Sequence, residues 1–466
     1  MKLNDLRRKY PKFIYEKYTW RISKNPRTRA STVRGENLEI FFDFRVLPDI
    51  FFSPKIIIEN IDKKRLVKIG DRELNNLIFH LGLMEIPSYW KVTCSPEIEI
   101  KTGSLNSEQI SFWKDLIIQG MGQFFYENKI DFTQPNFLRI ISKPEPQRRV
   151  ESKKISSSPP SLPLRESSVK NECSLSKTDS QRPALCKLKN RYLVPVGGGK
   201  DSIVTLELLK RKNKEINGFL VNPTKAAKEV LKVAKIKNPI VIERKIDPTL
   251  LKLNQKGYLN GHTPFTAVLS FLSVFGAVLF DYKNIVFSNE KSANEGNLIY
   301  LGKMINHQWS KSSEFERKFK NYCKKYLVKD INYFSLLRPY TELEISRMFL
   351  KYPQYFSVFS SCNVDQKMVR RNSPQARQRW CGNCPKCLFV YATLYPFLEK
   401  KELLKIFGRD IFQNKKLLPI MKSLIGQGRP KPFECVGTKK ESRLAFYLSF
   451  KKAKKSGEIP YLLTKL

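Results

Sequence analysis

The stretch VPVGGGKDSIVTLELL, residues 194–209, sets three glycines, a lysine, an aspartate and a serine between an apolar run and an amphipathic one. Successive glycines let the backbone take positive φ and come close to an anion. Their amides, together with the N-terminus of the following helix, form a positive concavity for phosphate oxygens. Gly197, Gly198, Gly199, Lys200, Asp201 and Ser202 are therefore candidate phosphate-binding residues. Lys200 supplies charge, Ser202 donates to an oxygen or caps the helix, and Asp201 is assigned to a bridging Mg²⁺, since it would otherwise repel a phosphate. The spacing fits neither the Walker pattern nor G-x-G-x-x-G.

The loop's surroundings repeat its logic. RYLVPV (191–196), NGFLVN (217–222), PIVIERK (239–245) and NIVFSNE (284–290) read as strands, separated by helical IVTLELLKRK (203–212), KAAKEVLKVAK (225–235) and an apolar segment. Strands alternating with helices imply an α/β fold with a doubly wound parallel sheet whose ligands sit at the carboxyl ends of the strands. The apolar segment, 257–280, carries no formal charge and is long enough to span a bilayer. Its Asn260, His262, Pro264 and serines, and the strand that follows it, read instead as a helix buried against the sheet.

A length of 466 residues suggests two or three domains. Residues 1–132 read as an N-terminal α+β domain, 133–188 as a Ser/Pro/Lys-rich flexible linker, and 189–466 as a catalytic domain with a helical, cysteine-bearing C-terminal part. A formal net charge of +42 attracts polyanions such as nucleic acid or phosphorylated metabolites, or makes a solvated basic surface; spread along the whole chain, it does not decide the partner. Nine cysteines, an odd number, argue against a purely disulfide-stapled secreted protein. MKLNDLRRKYPKFIYEKY has no apolar signal-peptide core, so a cytoplasmic protein without a membrane span is expected.

Cys381, Cys384 and Cys387 follow Cys-x-x-Cys-x-x-Cys spacing, with Cys362 as the expected fourth ligand. Four thiolates suit structural Zn²⁺, and an iron–sulfur cluster is the alternative. The other strand ends that should meet the phosphate loop are Asn222, Lys245 with Asp247, and Ser288-Asn289-Glu290. Asn222 and Asn289 are candidate nucleotide contacts. Glu290 and Glu295 could order Mg²⁺, grip substrate or move a proton, and the bland alternative is a capped helix start. Cys435 is a core residue, a substrate contact or a proton carrier. His80, His262 and His307 are isolated in sequence, and His262 opens the apolar helix. The run from Arg370 and Arg371 to Arg377 and Arg379 binds phosphate or is solvated.

Gly198, Gly199, Asp201 and Ser202 match the S-G-G-x-D-S signature of the PP-loop, or N-type, ATP pyrophosphatases, with Gly197 in place of the serine. Together with Ser88-Tyr89-Trp90-Lys91 in GLMEIPSYWKVTCSPEIEI, SNEKSANEGN, RWCGNCPKCLFV and KPFECVG, the loop resembles the UDP-N-acetylmuramoyl-L-alanyl-L-glutamate epimerase family over nearly all of the chain except 133–188. The resemblance implies ATP-dependent inversion of the terminal L-glutamate of a UDP-muramoyl dipeptide through an acyl-adenylate, with AMP and pyrophosphate released, for peptidoglycan precursor synthesis. Candidates for the proton exchange are Glu290, Glu295, Cys435 and His262, and oligomeric state is open. The rival readings are a tRNA-thiolating or 7-cyano-7-deazaguanine synthase-like PP-loop enzyme, and a non-catalytic zinc-stabilised binding protein.

Overall fold

The computed structural model describes residues 2–24, 35–142, 187–362 and 379–466. Most of the expected linker, and Arg370, Arg371 and Arg377, fall outside the described residues. The N-terminal strands are β1 (Lys12–Lys24), β2 (Glu36–Val46), β3 (Ile50–Phe52), β4 (Lys55–Ile61), β5 (Glu97–Ile100) and β6 (Arg139–Ser142). Those after the linker are β7 (Tyr192–Pro195), β8 (Ile216–Val221), β9 (Ile240–Lys245) and β10 (Asn284–Phe287). A small hairpin, β11 (Leu298–Tyr300) and β12 (Lys303–Ile305), and β13 (Asn332–Ser335) complete them.

Five strands form a parallel block in the order β13-β10-β7-β8-β9. The order reverses between β7 and β10, which creates a crevice beyond their carboxyl ends. Alternate residues explain the two covered faces. Leu193, Phe219 and Ile285 point into one apolar cluster, while their neighbours Val194, Leu220 and Val286 point into the other. Short runs with no polar member, such as LV (193–194), IVF (285–287) and FLV (219–221), follow from burial on both sides.

The parallel block is not the whole sheet. β4 pairs antiparallel with β9, from Lys55 opposite Lys245 to Ile58 opposite Ile242, and the order runs on through β2, β1, β5 and β6. The sheet is therefore mixed, parallel around the phosphate loop and largely antiparallel in its N-terminal part. One apolar cluster likewise contains residues from Leu6 to Ile140 together with Leu188 to Tyr333. β6 falls inside the stretch expected to be linker, held in parallel register with β5.

The uncharged segment supplies a helix, Phe265–Phe280, with thirteen buried residues. It packs on β7 and β10 and against the long helix Asp71–Trp90. A Cβ on Gly276 would come within 2.9 Å of the Phe219 ring, so the missing side chain permits the close helix–sheet approach. Among the described residues no helix is long and apolar enough to cross a membrane.

Candidate functional site

The loop after β7 turns at Gly198, whose φ of +94° favours glycine. A Cβ there would also lie 2.8 Å from the Ala227 amide nitrogen. At Gly199 the nearest atom to such a Cβ is Ser361 Oγ, at 2.7 Å, whereas Gly197 faces open space. The helix Lys200–Arg211 begins at once, with Gly199 as its N-cap, and Ser202 Oγ donates to the Gly199 carbonyl at 2.9 Å. The amides of the turn and of the first helical residues therefore point out of the sheet's switch point.

Lys200 does not face outward as the sequence suggested. Its side chain is 2% exposed, and its ammonium donates to Asp201 Oδ1 at 2.6 Å and to Glu342. Burial alone would raise Asp201, but Lys200, Lys386 and Lys311 outweigh it and hold the carboxylate below its ordinary range. Burial, with the Asp201 and Glu290 charges, pushes Glu342 up to about 7 against the pull of Lys200 and Lys386. Glu441 accepts from the Glu342 amide at 2.9 Å and so fixes the start of its helix.

Beside the loop, β10 delivers Asn289 and Glu290, both buried. Asn289 Nδ2 donates to Ser335 Oγ at 3.1 Å. Glu290 stands at the N-cap of a short 3₁₀ turn and accepts from Ser292 Oγ at 3.2 Å, while its carbonyl accepts from Arg338 at 2.9 Å. Glu295 accepts from Lys431 Nζ at 3.3 Å and from the Lys439 amide at 3.0 Å, which ties the 431–439 segment to the site. Both amide atoms of Asn222 bond the Arg244 backbone, at 2.8 and 2.9 Å, and clip the ends of β8 and β9 together.

Cys435 is half-buried on that tethered segment. Lys311 Nζ lies 3.1 Å from its Sγ, Lys386 Nζ donates to its carbonyl, and His307 Nε2 is 4.0 Å from its Sγ. The His307 ring lies 4.7 Å from that of His262, centroid to centroid, with the two planes tilted by 53°. Burial, then the neighbouring positive charge of Lys311, lowers His307 to about 4; burial, then His307 and Lys91, lowers His262 to about 3. Burial would lower Lys311, yet Cys435, Glu290 and Asp201 raise it above the ordinary lysine value. His80 belongs to an aromatic cluster instead, with its ring edge-on to Phe79 and Tyr322 and tilted against Trp113.

The cysteine cluster forms as expected. Ligand sulfurs of Cys362, Cys381, Cys384 and Cys387 lie within 4.8 Å of one another, with Cys384 to Cys387 at 3.5 Å and Cys381 to Cys387 at 3.7 Å. Tetrahedral Zn–S bonds of about 2.3 Å place sulfurs roughly 3.8 Å apart, so the cage fits. Amides of Cys381, Asn383 and Cys387 point at these sulfurs at 3.4–3.5 Å, as thiolates require. The same segment braces the phosphate loop, because the Ser360 amide donates to the Gly198 carbonyl at 2.9 Å. Arg379 reaches Glu229 at 2.9 Å and the Val358 carbonyl at 2.5 Å, so it belongs to the scaffold.

Sequence reasoning missed Lys311, Lys386, Lys431 and Glu342 and left His307 unassigned. Each is a common residue on a different element. Only Lys386, inside the cysteine run, and Glu342, in the capping sequence Thr341-Glu342-Leu343-Glu344, carried a local signal.

These features define a mixed α/β protein with a glycine-turn loop at the switch point of its parallel strands and a four-cysteine cage braced against that loop. The chain matches the MurL N-terminal domain over residues 31–336 and the MurL C-terminal domain over residues 358–461. It belongs to the MurL family. A relative named UDP-N-acetyl-alpha-D-muramoyl-L-alanyl-L-glutamate epimerase, from Salinispora tropica, is 41% identical over 58% of this chain and 56% of its own. The protein of that name from Xanthomonas oryzae pv. oryzae is 32% identical over 78% of this chain and 72% of its own. The chain thus spans little more than half the length of the Salinispora relative. A solved structure described as a predicted subunit of tRNA methyltransferase, from Methanocaldococcus jannaschii, shares 18% identity over 36% of this chain and 84% of that chain, with a TM-score of 0.22.

Proposed function

We propose that this chain inverts the α-carbon of the terminal L-glutamate in UDP-N-acetylmuramoyl-L-alanyl-L-glutamate. It does so in the cytoplasm, using ATP and Mg²⁺ and releasing AMP and pyrophosphate, as a step toward peptidoglycan precursors. The observation that carries this reading is the Gly198 turn at the β7/β10 switch point, with the Asp201 carboxylate beside it.

In this reading the amides of residues 197–202 hold the leaving phosphates, as in the PP-loop pattern, with Asn222 and Asn289 flanking the nucleotide. Asp201, kept ionised by three lysines, is the residue that would hold Mg²⁺, which supplies charge neutralisation to the phosphates. The four cysteines would hold a structural Zn²⁺ that anchors Cys362, two residues from the Ser360 that braces the loop. Lys200 keeps Asp201 and Glu342 in place from within the core.

The need for ATP follows from the acidity of the carbon centre. Removing an α-hydrogen next to a free carboxylate would place a second negative charge on one group. Adenylation removes the first charge, and an enolate then becomes accessible to a protein base. The half-buried Lys311 and the buried Lys386 and Lys431 suit a substrate bearing a diphosphate and carboxylates. Glu290, Glu295, Cys435 and His262 are the candidate acid–base groups. Incubation with ATP, Mg²⁺ and the UDP-muramoyl dipeptide, followed by chiral analysis of glutamate, should yield D-glutamate, AMP and pyrophosphate. An unchanged L-configuration, or ADP as the product, overturns the reading.

A further inference from the structure

Cys435 combines three contacts that packing does not require. Lys311, half-buried, brings its ammonium to 3.1 Å from Sγ, although a neutral side chain would fill that space with less desolvation cost. An adjacent cation stabilises the thiolate, the reactive form of cysteine. His307 Nδ1 lies 2.6 Å from Gln123 Oε1, an atom that only accepts. Nδ1 therefore carries the hydrogen, and Nε2 presents its lone pair toward Sγ at 4.0 Å. Behind it stands His262, whose Nε2 is buried with no hydrogen-bond partner among the described residues. Lys386 holds the Cys435 carbonyl, so the backbone that carries the thiol is anchored. The charges of Glu290 and Asp201 also act on Lys311, and those of Glu127 and Lys431 on His307.

From this geometry we infer that Cys435 exchanges the α-proton on one face of the glutamyl residue, with Lys311 and His307 as the residues that position and discharge it. The inference rests on the epimerase reading above. The Cys435 thiolate takes the proton from Cα: the C–H bond breaks, an S–H bond forms, and the electron pair moves onto the activated carbonyl oxygen. A general acid on the opposite face delivers a proton as that pair returns to Cα. The Cys435 thiol passes its proton to His307 Nε2, which hands it to water, and water reprotonates the acid. Protons and electrons balance without an oxidant or reductant.

The test uses the full chain and separates adenylation from proton exchange. Cys435→Ala should retain substrate-dependent ATP–pyrophosphate exchange, while epimerisation and deuterium uptake at Cα in D₂O fall roughly 10²–10⁴-fold. Cys435→Ser, nearly isosteric, serves if the alanine variant does not fold, and should show the same split. Wild-type epimerisation in either variant overturns the assignment. Absence of exchange in the wild type overturns the epimerase reading beneath it and this inference with it. For Lys311, the rate of peptide-resolved alkylation by iodoacetamide at fixed pH reports the Cys435 thiol directly. Lys311→Met should slow it several-fold, and Lys311→Arg should restore it. An unchanged rate in Lys311→Met refutes the positioning role.

Discussion

Replacing Lys200 by methionine tests the buried charge cluster that shapes the phosphate loop. Glu342 is 1% exposed and touches the Lys200 ammonium, and Asp201 lies 2.6 Å from the same nitrogen. Asp201 keeps the fields of Lys386 and Lys311, whereas Glu342 is left with Lys386 against two carboxylates and its own burial. Removing one partner of a buried pair typically costs about 3–5 kcal/mol. The pH dependence has a definite sign. Glu342 already sits at about 7 in the folded chain, above the ordinary value of about 4.3 for an unfolded glutamate. The folded state therefore binds this proton more tightly, and its stabilising effect is complete below about 4.3 and lost as pH rises through the folded value. Loss of Lys200 raises that value further, so the Lys200→Met deficit should be largest near pH 8 and shrink toward pH 5.5. Lys200→Met/Glu342→Gln should recover most of it, because the amide carries no charge. Urea unfolding followed by far-ultraviolet circular dichroism, with all four members of the cycle at both pH values, measures the coupling. A double variant as unstable as Lys200→Met, with a pH-independent loss, would refute this account.

Gly198→Ala meets both a positive φ and the Ala227 backbone, so it should lose about 1–2 kcal/mol or more of stability and weaken ATP binding at least tenfold by calorimetry; unchanged binding would separate the turn from the nucleotide. Metal analysis should find one zinc per chain in the wild type and none in Cys384→Ser. Because Ser360 holds the Gly198 carbonyl, chelation should also weaken ATP binding, and full ATP affinity after metal removal would count against the brace. His262 and His307 fall to about 3 and about 4 in the folded chain, below the unfolded value of about 6.5. Their contribution is complete above that value and lost below it, by up to about 1.4 kcal/mol per pH unit for each histidine. Between pH 6.5 and 5, a His262→Gln/His307→Gln variant should lose less stability than the wild type in urea titrations; parallel curves would refute the assignment.

Legibility in the sequence followed the range of the interaction. The β7 strand, the glycine turn and the helix Lys200–Arg211 are contiguous, and their residues announce the elements directly. The four cysteines were legible because thiolates at fixed spacing have few other uses, with only Cys362 reached across a longer loop. The β4–β9 pairing was not legible, since nothing within KIIIENI distinguishes β9 from any other partner. Lys200 was placed in the right loop with the wrong aim. Its direction is set by Glu342, which is distant in sequence and reaches the loop only through tertiary packing. The Cys435 environment escaped for the same reason: Lys311 and His307 arrive from one segment and Lys386 from another, each unremarkable alone.

The antiparallel join between β4 and β9 has a consequence for how the chain is made. As synthesis proceeds from the N-terminus, residues 55–61 leave the ribosome long before residues 240–245 exist. Until then β4 presents a bare row of amides and carbonyls, the kind of template on which other chains nucleate. The interval also includes the Ser/Pro/Lys-rich stretch, which lengthens the wait. Slow, aggregation-exposed maturation of the nascent chain follows from this order of events, and translation stalled before residue 240 should leave a product that requires a chaperone to stay dispersed.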